Sequence, residues 1–180
     1  MAERIIDGIR FREIDGFPGY EVGENGEILS FWRRGVYPYK IVASYRILKK
    51  SLDDDGYERV RLFRPEKKKI YVRVAKLVLA AFVGPRPSSM EVCHNDGDKE
   101  NNRLTNLRWD TPKSNCYDKL IHGKIRFGKG NEKILTVEVI KLIKLRVSQG
   151  KSLASISRET GMHYTNIGDI RDGKHWEEIY

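Results

Sequence analysis

The chain has 180 residues, a formal net charge of +9 and a pI near 9.5, so it is long enough for one or two small cores and basic enough to bind polyanions. Its only cysteines, Cys93 and Cys116, form no Cys-x-x-Cys pair, which argues against a disulfide framework and a four-ligand structural zinc site. No apolar stretch is long enough to span a bilayer and residues 1–8 lack a signal-peptide pattern, so we expect an intracellular protein.

The basic residues are unevenly distributed along the chain. Residues 1–30 carry 3 Lys or Arg against 7 Asp or Glu, residues 31–90 carry 15 against 5, and residues 91–180 carry 16 against 13. The excess of positive charge lies in residues 31–90, where we expect a surface for a nucleic acid.

The N-terminal segment has the pattern of a small β-rich module. Residues 14–20 combine glycine and proline with aromatic residues, which favours a tight turn beside a small core. Within Tyr20–Ser30, Asn25-Gly26 separates two short runs of alternating apolar residues. This dipeptide in such a setting is the strongest short signal for a β-hairpin.

Two strands and a helix are predicted next. Residues 57–63 and 69–74 alternate apolar and cationic positions, with Val60 and Leu62 on one face and Arg59 and Arg61 on the other. They are joined through residues 65–67, and residues 76–82 read as a short apolar helix on this sheet. The charged face either contacts DNA or is a solvated sheet face, and we favour DNA. The cations predicted to contact DNA here are Arg46, Lys49, Lys50, Arg59, Arg61, Arg73 and Lys76.

Residues 91–115 contain the side chains that could take part in a reaction. A short apolar run ends at Cys93-His94, turn-forming residues follow at 95–98, and residues 107–109 alternate like a half-buried strand. Thr111 is a candidate N-cap, and a proline at the next position suits the start of a helix. The predicted layout is strand, strand, helix (ββα), with Asn115 in the first helical turn.

The C-terminal third reads as a separate helical domain after a flexible basic linker, residues 123–133. Capping residues and helical spacing predict helices over Thr136–Ser148, Ser152–Gly161 and His163–Arg171. Three short helices with a glycine-containing turn before the last describe a helix-turn-helix. The alternative is a small interaction bundle without base contacts. The predicted groove-facing residues are His163, Tyr164, Thr165, Asn166 and Asp169.

The order His94, Asn106, Asn115 resembles the HNH endonuclease family, and the match extends through Asp96-Gly97, Asn101-Asn102, residues 107–109 and Thr111. The resemblance implies that His94 is the general base that activates water, that Asn106 orients the loop and that histidine, and that Asn115 ligates a divalent cation. Water attacks a phosphodiester only when its proton is accepted and charge on the phosphate is neutralised, which an imidazole and a cation provide.

The flanks carry related resemblances. Residues 11–64 resemble the modular DNA-binding motif that precedes HNH domains in phage and intron-encoded homing endonucleases. Residues 150–176 resemble the C-terminal helix-turn-helix of phage HNH enzymes. Together they imply modules extended along a DNA duplex, with Arg108 of the ββα segment as a further DNA contact.

Two positions depart from the family pattern. Cys93 stands where these nucleases often carry the aspartate that is the second metal ligand; a thiolate there favours an ion softer than Mg²⁺, and the alternative is a small buried strand residue. Ala75 stands where relatives carry histidine, and either natural drift or a substitution that impairs the enzyme accounts for it. The implied cofactor is a divalent cation, with Mg²⁺ or Mn²⁺ ahead of Zn²⁺.

The sequence therefore predicts an α+β protein with a small antiparallel N-terminal sheet module (1–64), a ββα-metal HNH core (65–122), the basic linker (123–133) and a helix-turn-helix domain (134–180). We expect a metal-dependent endonuclease that cuts double-stranded DNA at a selected site, acting as a monomer without an obligate protein partner. Its place would be the cytoplasm of a bacterial host, encoded by a phage or mobile element. The alternative is a catalytically silent DNA-binding protein, and an RNA-binding module is a weaker third reading.

Overall fold

The computed structural model describes residues 3–33, 40–64, 69–127, 133–177 and 179. The chain divides into two compact units, Met1–Pro112 and Lys113–Tyr180. Strands and helices occur together and every strand pairing is antiparallel, which confirms the predicted α+β class. Among the described residues, no helix has both the length and the apolar character needed to cross a membrane.

The first unit begins with a five-stranded antiparallel sheet in which each strand pairs with its neighbour in sequence. The predicted hairpin around Asn25-Gly26 is confirmed: Gly26 has a φ of +85°, and the Asn25 side chain accepts a hydrogen bond from the backbone N–H of Glu27. A further hairpin turns at Asp7-Gly8 and was not predicted, although its turn carries the same kind of signal. The strands are β1 (Glu3–Ile6), β2 (Ile9–Glu13), β3 (Tyr20–Gly23), β4 (Ile28–Trp32) and β5 (Ile41–Ile47).

A three-stranded sheet follows, with strands β6 (Ser51–Leu52), β7 (Glu58–Phe63) and β8 (Lys69–Arg73). Val60 and Leu62 are buried while Arg61 is exposed, so the predicted alternation is confirmed. The predicted connection at residues 65–67 lies outside the described residues.

The centre of the first unit is helix α1 (Val74–Phe82), followed by the hairpin of β9 (Glu91–His94) and β10 (Leu107–Asp110). Residues of both sheets, of α1 and of β10 share one apolar core, so burying this surface holds the hairpin against the N-terminal strands. Helix α2 (Pro112–Ile121) begins at the last residue of the first unit and completes the predicted ββα order. The core includes Val22, Ile28, Val60, Leu62, Val74, Leu77, Val78, Leu79 and Leu107.

The second unit contains most of α2, the short paired strands β11 (Arg126–Phe127) and β12 (Lys133–Ile134), and helices α3 (Val137–Ser148), α4 (Leu153–Thr160) and α5 (Tyr164–Arg171). Both predicted caps are confirmed, because Thr136 and Ser152 accept hydrogen bonds from backbone N–H groups of the following turns. Helix α4 ends at Gly161 in the left-handed conformation. Within the predicted linker, residues 128–132 lie outside the described residues.

Candidate active site

His94 is the last residue of β9 and precedes the loop 95–106, hereafter the His94 loop. Only 7% of the residue is exposed, and its ring lies 5.9 Å from the ring of Tyr57, centroid to centroid. Burial lowers the pKa of His94 below its ordinary value, and the hydrogen bond with Asn102 offsets part of that shift. Burial therefore favours the neutral imidazole, which is the form that a general base requires.

Asn106 fastens the two ends of the His94 loop to each other. Its amide nitrogen donates to Asp96 Oδ1 at 2.9 Å and to the carbonyl oxygen of Asn101 at 2.8 Å. Its amide oxygen accepts from the backbone N–H of Asp96 at 3.1 Å. The residue is 8% exposed and belongs to a short 3₁₀ turn, Leu104–Asn106, directly before β10. These contacts are the loop-holding arrangement expected of the central asparagine.

Asp96 is the acceptor around which the loop closes. Besides Asn106, it accepts hydrogen bonds from the Asn101 side chain at 2.6 Å and from the backbone N–H of Asp98 at 2.8 Å. Burial acts to raise the pKa of Asp96, but the hydrogen bonds from Asp98, Asn101 and Asn106 outweigh it, so the pKa lies below its usual value. The carboxylate is thus stabilised in its charged form by the geometry of the loop.

Asn102 contacts His94 directly, and no role was predicted for it. Its Oδ1 lies 3.2 Å from His94 Nε2, while its Nδ2 donates to Glu58 Oε2 at 2.8 Å and to the Glu100 carbonyl at 3.2 Å. Glu58 also forms an ion pair with Lys50, whose Nζ lies 2.6 Å from the same Oε2. The available sequence signal for Asn102 was its place in the Asn101-Asn102 pair of the matched motif. Nothing in the sequence pointed to Glu58.

The N-terminal hairpin supports the His94 loop from the side. The backbone N–H of Leu104 donates to the carbonyl of Glu24 at 2.7 Å. A Cβ at Gly26 would lie 2.9 Å from Cβ of Asn102, so the hairpin approaches the loop more closely than any larger residue permits. The glycine of the Asn-Gly turn therefore serves both the turn and the packing against the loop.

The predicted metal ligands occupy different elements. Cys93 lies on β9, is 1% exposed and is not in a disulfide; Asn115 lies in the first turn of α2, within the second unit. In the part of the chain that the structure describes, no group of three or more His, Cys, Asp and Glu side chains could hold a metal ion. Ala75 is 4% exposed in the first turn of α1, packed in the core. The metal assignment of Cys93 and Asn115 stays a prediction.

Several cations predicted to contact DNA are engaged within the protein. Arg73 forms ion pairs with Asp53 and Asp55, both at 2.6 Å, and its guanidinium lies 4.1 Å from the Tyr57 ring centroid. Lys50 is paired with Glu58, as described. The other two are Arg46, which donates to the Trp32 carbonyl, and Arg108, which is paired with Asp110 and contacts Asn95.

The remaining cations of this group point outward or lie on the outer sheet face. The guanidinium of Arg59 lies 4.8 Å from the ring centroid of Tyr71, the β8 residue that is paired directly with Arg61. Lys49, Arg61 and Lys76 are exposed, and no described residue forms an ion pair with them. Together these residues give β7, β8 and the start of α1 a basic and aromatic surface.

Helix α5 presents polar side chains to solvent. Ile167 and Ile170 are buried, and the N-terminal residues of the helix are exposed. His163 caps the helix by accepting from the backbone N–H of Thr165, and its ring lies 4.3 Å from that of Tyr164. Four of the five predicted groove-facing residues are thus exposed, whereas Asp169 is half-buried and accepts a hydrogen bond from Lys174 at 2.9 Å. Binding of DNA by these residues stays a prediction. Those exposed are His163, Tyr164, Thr165 and Asn166.

Known proteins with related sequences include two named endonucleases. The chain is 32% identical over 125 residues to the DNA endonuclease I-HmuI of Bacillus phage SP01, covering 69% of this chain and 65% of that protein. It is 31% identical over 132 residues to an uncharacterized HNH endonuclease of Acanthamoeba polyphaga mimivirus, covering 72% of this chain and 37% of the relative. The chain thus spans less than two thirds of the length of these relatives.

The fold has a counterpart among solved structures. A structure of the HNH homing endonuclease I-HmuI, described for its DNA binding and cleavage, matches with a TM-score of 0.53 at 24% identity, covering 91% of this chain and 90% of the other. The profile of the HNH endonuclease family matches residues 74–117, which contain α1, the β9–β10 hairpin with His94 and Asn106, and the start of α2. Residues 74–117 are therefore an HNH endonuclease domain.

Proposed function

We propose that this chain is a metal-dependent endonuclease that hydrolyses phosphodiester bonds of double-stranded DNA at a selected site. The observation that carries the proposal is the buried imidazole of His94, which ends β9 and precedes the loop that Asn106 fastens, within an HNH endonuclease domain. The similarity to a phage DNA endonuclease supports the substrate.

His94 has one ring nitrogen available for proton transfer. Nε2 is hydrogen bonded to Asn102, whereas no described residue forms a hydrogen bond with Nδ1. In the proposed reaction, Nδ1 accepts a proton from a water molecule as that water attacks phosphorus. The bond from phosphorus to the 3′ oxygen then breaks, which leaves a 5′ phosphate and a 3′ oxygen that takes up a proton from solvent to become a hydroxyl. Asn106 acts indirectly, because it holds the loop that follows His94.

The proposed reaction also requires a divalent cation. Cys93 and Asn115 are the candidate protein ligands, with a thiol and an amide oxygen as donors. This pair suits Mn²⁺ or Zn²⁺ better than Mg²⁺ when the thiolate is a ligand, because Mg²⁺ prefers oxygen donors. Such an ion would supply charge neutralisation at the phosphate and the leaving oxygen.

Two surfaces are proposed to select the DNA site. The basic and aromatic surface of β7, β8 and α1 offers Arg59, Arg61 and Lys76 to phosphates. The exposed start of α5, at the third helix of the predicted helix-turn-helix, offers side chains to base edges. We propose that the protein acts as a monomer on DNA in a bacterial host cell, as the phage origin of a relative suggests.

The test is cleavage of plasmid and phage DNA with Mg²⁺, Mn²⁺ or Zn²⁺, by the parent chain and by His94→Ala. We expect the variant to lose about 10²–10⁴-fold in rate, the usual contribution of a general base. The matched control is His122→Ala, which removes a histidine outside the predicted site. Equal cleavage by His94→Ala and the parent would exclude His94 as the base.

The alternative is a DNA-binding protein without catalysis, which the buried Cys93 and Ala75 favour. It predicts salt-sensitive binding to duplex DNA and no cleavage with any of the three ions. Cys93→Asp and Ala75→His distinguish a silenced enzyme from a DNA-binding protein without catalysis. Cleavage gained by either variant identifies a silenced enzyme, and DNA binding without cleavage by both variants supports the binding role.

A further inference from the structure

The strongest unexplained feature near His94 is a chain of polar contacts that reaches it from the three-stranded sheet. It runs from Lys50 to Glu58, from Glu58 to Asn102, and from Asn102 to Nε2 of His94. Resting on the proposed role of His94 as the base, we propose that Glu58 and Lys50 are positioning residues that, through Asn102, fix the proton of the neutral imidazole on Nε2 and leave Nδ1 as the basic nitrogen.

The orientation of the Asn102 amide follows from its neighbours. Its Nδ2 faces two groups that can only accept, the Glu58 carboxylate at 2.8 Å and the Glu100 carbonyl at 3.2 Å. Rotating the amide by half a turn would place Oδ1 against both acceptors, lose two hydrogen bonds and add repulsion. The amide oxygen is thereby directed at His94.

The position of the imidazole proton follows from that orientation. Oδ1 of Asn102 carries no proton, so the contact of 3.2 Å to Nε2 is a hydrogen bond only when Nε2 donates. A neutral imidazole carries one ring proton, so Nδ1 is then unprotonated. Asn102 is 3% exposed, and water therefore competes poorly for either side of its amide.

Glu58 supplies the fixed acceptor at the start of this chain. Its side chain is 15% exposed, and Lys50 Nζ and Asn102 Nδ2 both donate to the same oxygen, Oε2. The ammonium of Lys50 lies 2.6 Å from this carboxylate oxygen beside the packed sheet and holds it in place. Lys50 immediately precedes β6 and Glu58 begins β7, so the register of these two strands sets the alignment. The three-stranded sheet thus helps to position His94, in addition to offering a surface for DNA.

The inference is tested by inverting the ion pair in the full chain. The double variant Lys50→Glu/Glu58→Lys keeps opposite charges but presents an ammonium donor to Asn102. The amide should then turn its oxygen towards position 58 and its nitrogen towards His94, which moves the imidazole proton from Nε2 to Nδ1. Nitrogen-15 NMR of the histidine rings in DNA-free protein reports the protonated nitrogen directly. The signal of His94 is identified by its loss in His94→Ala.

Two further variants separate positioning from folding. Glu58→Gln keeps a single carbonyl oxygen that can accept from both donors, so the proton should stay on Nε2. The matched control is Arg4→Glu/Glu21→Arg, which inverts an ion pair of the N-terminal sheet, 3.0 Å in the parent, that does not touch Asn102. This control should change neither the tautomer nor the cleavage rate.

We expect the inverted Lys50–Glu58 pair to move the proton and to reduce cleavage by about 10²–10⁴-fold, the range for loss of a general base. A folded inverted variant with the proton still on Nε2 would overturn the inference. If that variant does not fold, Glu58→Gln decides: a single Nε2-protonated form supports the inference, and a mixture of tautomers overturns it. If the parent chain itself does not cleave DNA, the proposed function fails, while the NMR result still decides the tautomer.

Discussion

Replacing Asn106 with alanine removes the fastening of the His94 loop without touching His94. The side chain makes three hydrogen bonds, two with Asp96 and one with the Asn101 carbonyl. A neutral bond contributes about 1 kcal/mol net and a bond to a carboxylate about 2 kcal/mol, which gives about 4 kcal/mol for the three. Asp96 is exposed and regains water when the amide is removed, so we expect a loss of about 3 kcal/mol in the free energy of unfolding.

Urea unfolding and calorimetry measure this loss. For a unit of this size, the melting temperature should fall by about 10 °C. Trp32 and Trp109 report the first unit by fluorescence, since both lie within it. Where the variant is still folded, cleavage should fall by about 10²-fold, because displacement of the loop by about 1 Å misplaces the base.

The comparison variant is Asn101→Ala, whose side chain gives one hydrogen bond to Asp96. It should destabilise the first unit by about 1–2 kcal/mol, clearly less than Asn106→Ala. Equal destabilisation by the two variants would refute the assignment of Asn106 as the residue that closes the loop.

Three further outcomes are expected. Burial acts to raise the pKa of the Asp96 carboxyl, but hydrogen bonds lower it overall. The charged carboxylate therefore stabilises the folded protein above the unfolded pKa of about 3.9, and this stabilisation is lost as the pH falls through the folded pKa. The stability difference between the parent and Asp96→Asn, measured by urea unfolding, should shrink below about pH 4; a constant difference contradicts this. Gly26→Ala should slow cleavage more than Gly8→Ala, because both have positive φ but only the first would press on the loop beside His94; equal effects would show that the contact is irrelevant. Arg61→Ala should weaken DNA binding and reduce the salt slope by about 1, whereas Arg73→Ala, which breaks internal ion pairs, should mainly lower the melting temperature; the reverse result would reject the proposed surface.

Much of the fold was predictable because its signals are local. Thr136, Ser152 and Gly161 mark helix ends through contacts within one turn, and these depend on few neighbours. Alternation of apolar residues predicted the buried face of β7, since successive strand residues face opposite sides. The β9–β10 hairpin and the helix after it follow from turn residues and a proline. The availability of Lys50 and Arg73 for DNA was not predictable, because their carboxylate partners are fixed by strand register and loop geometry.

The sequence by itself determined the ββα order, because its turn and capping signals lie within one short segment. Through its resemblance to the HNH endonuclease family it also indicated His94 as the candidate base and Asn106 as the residue that holds the loop. Only the tertiary structure decided which groups face the imidazole. Glu58 is 44 residues from Asn102 along the chain, and the two meet because both sheets, α1 and the hairpin bury their apolar faces in one core. A polar contact of that kind leaves no periodic pattern in the sequence, because it depends on how separate elements pack and not on the conformation of either segment.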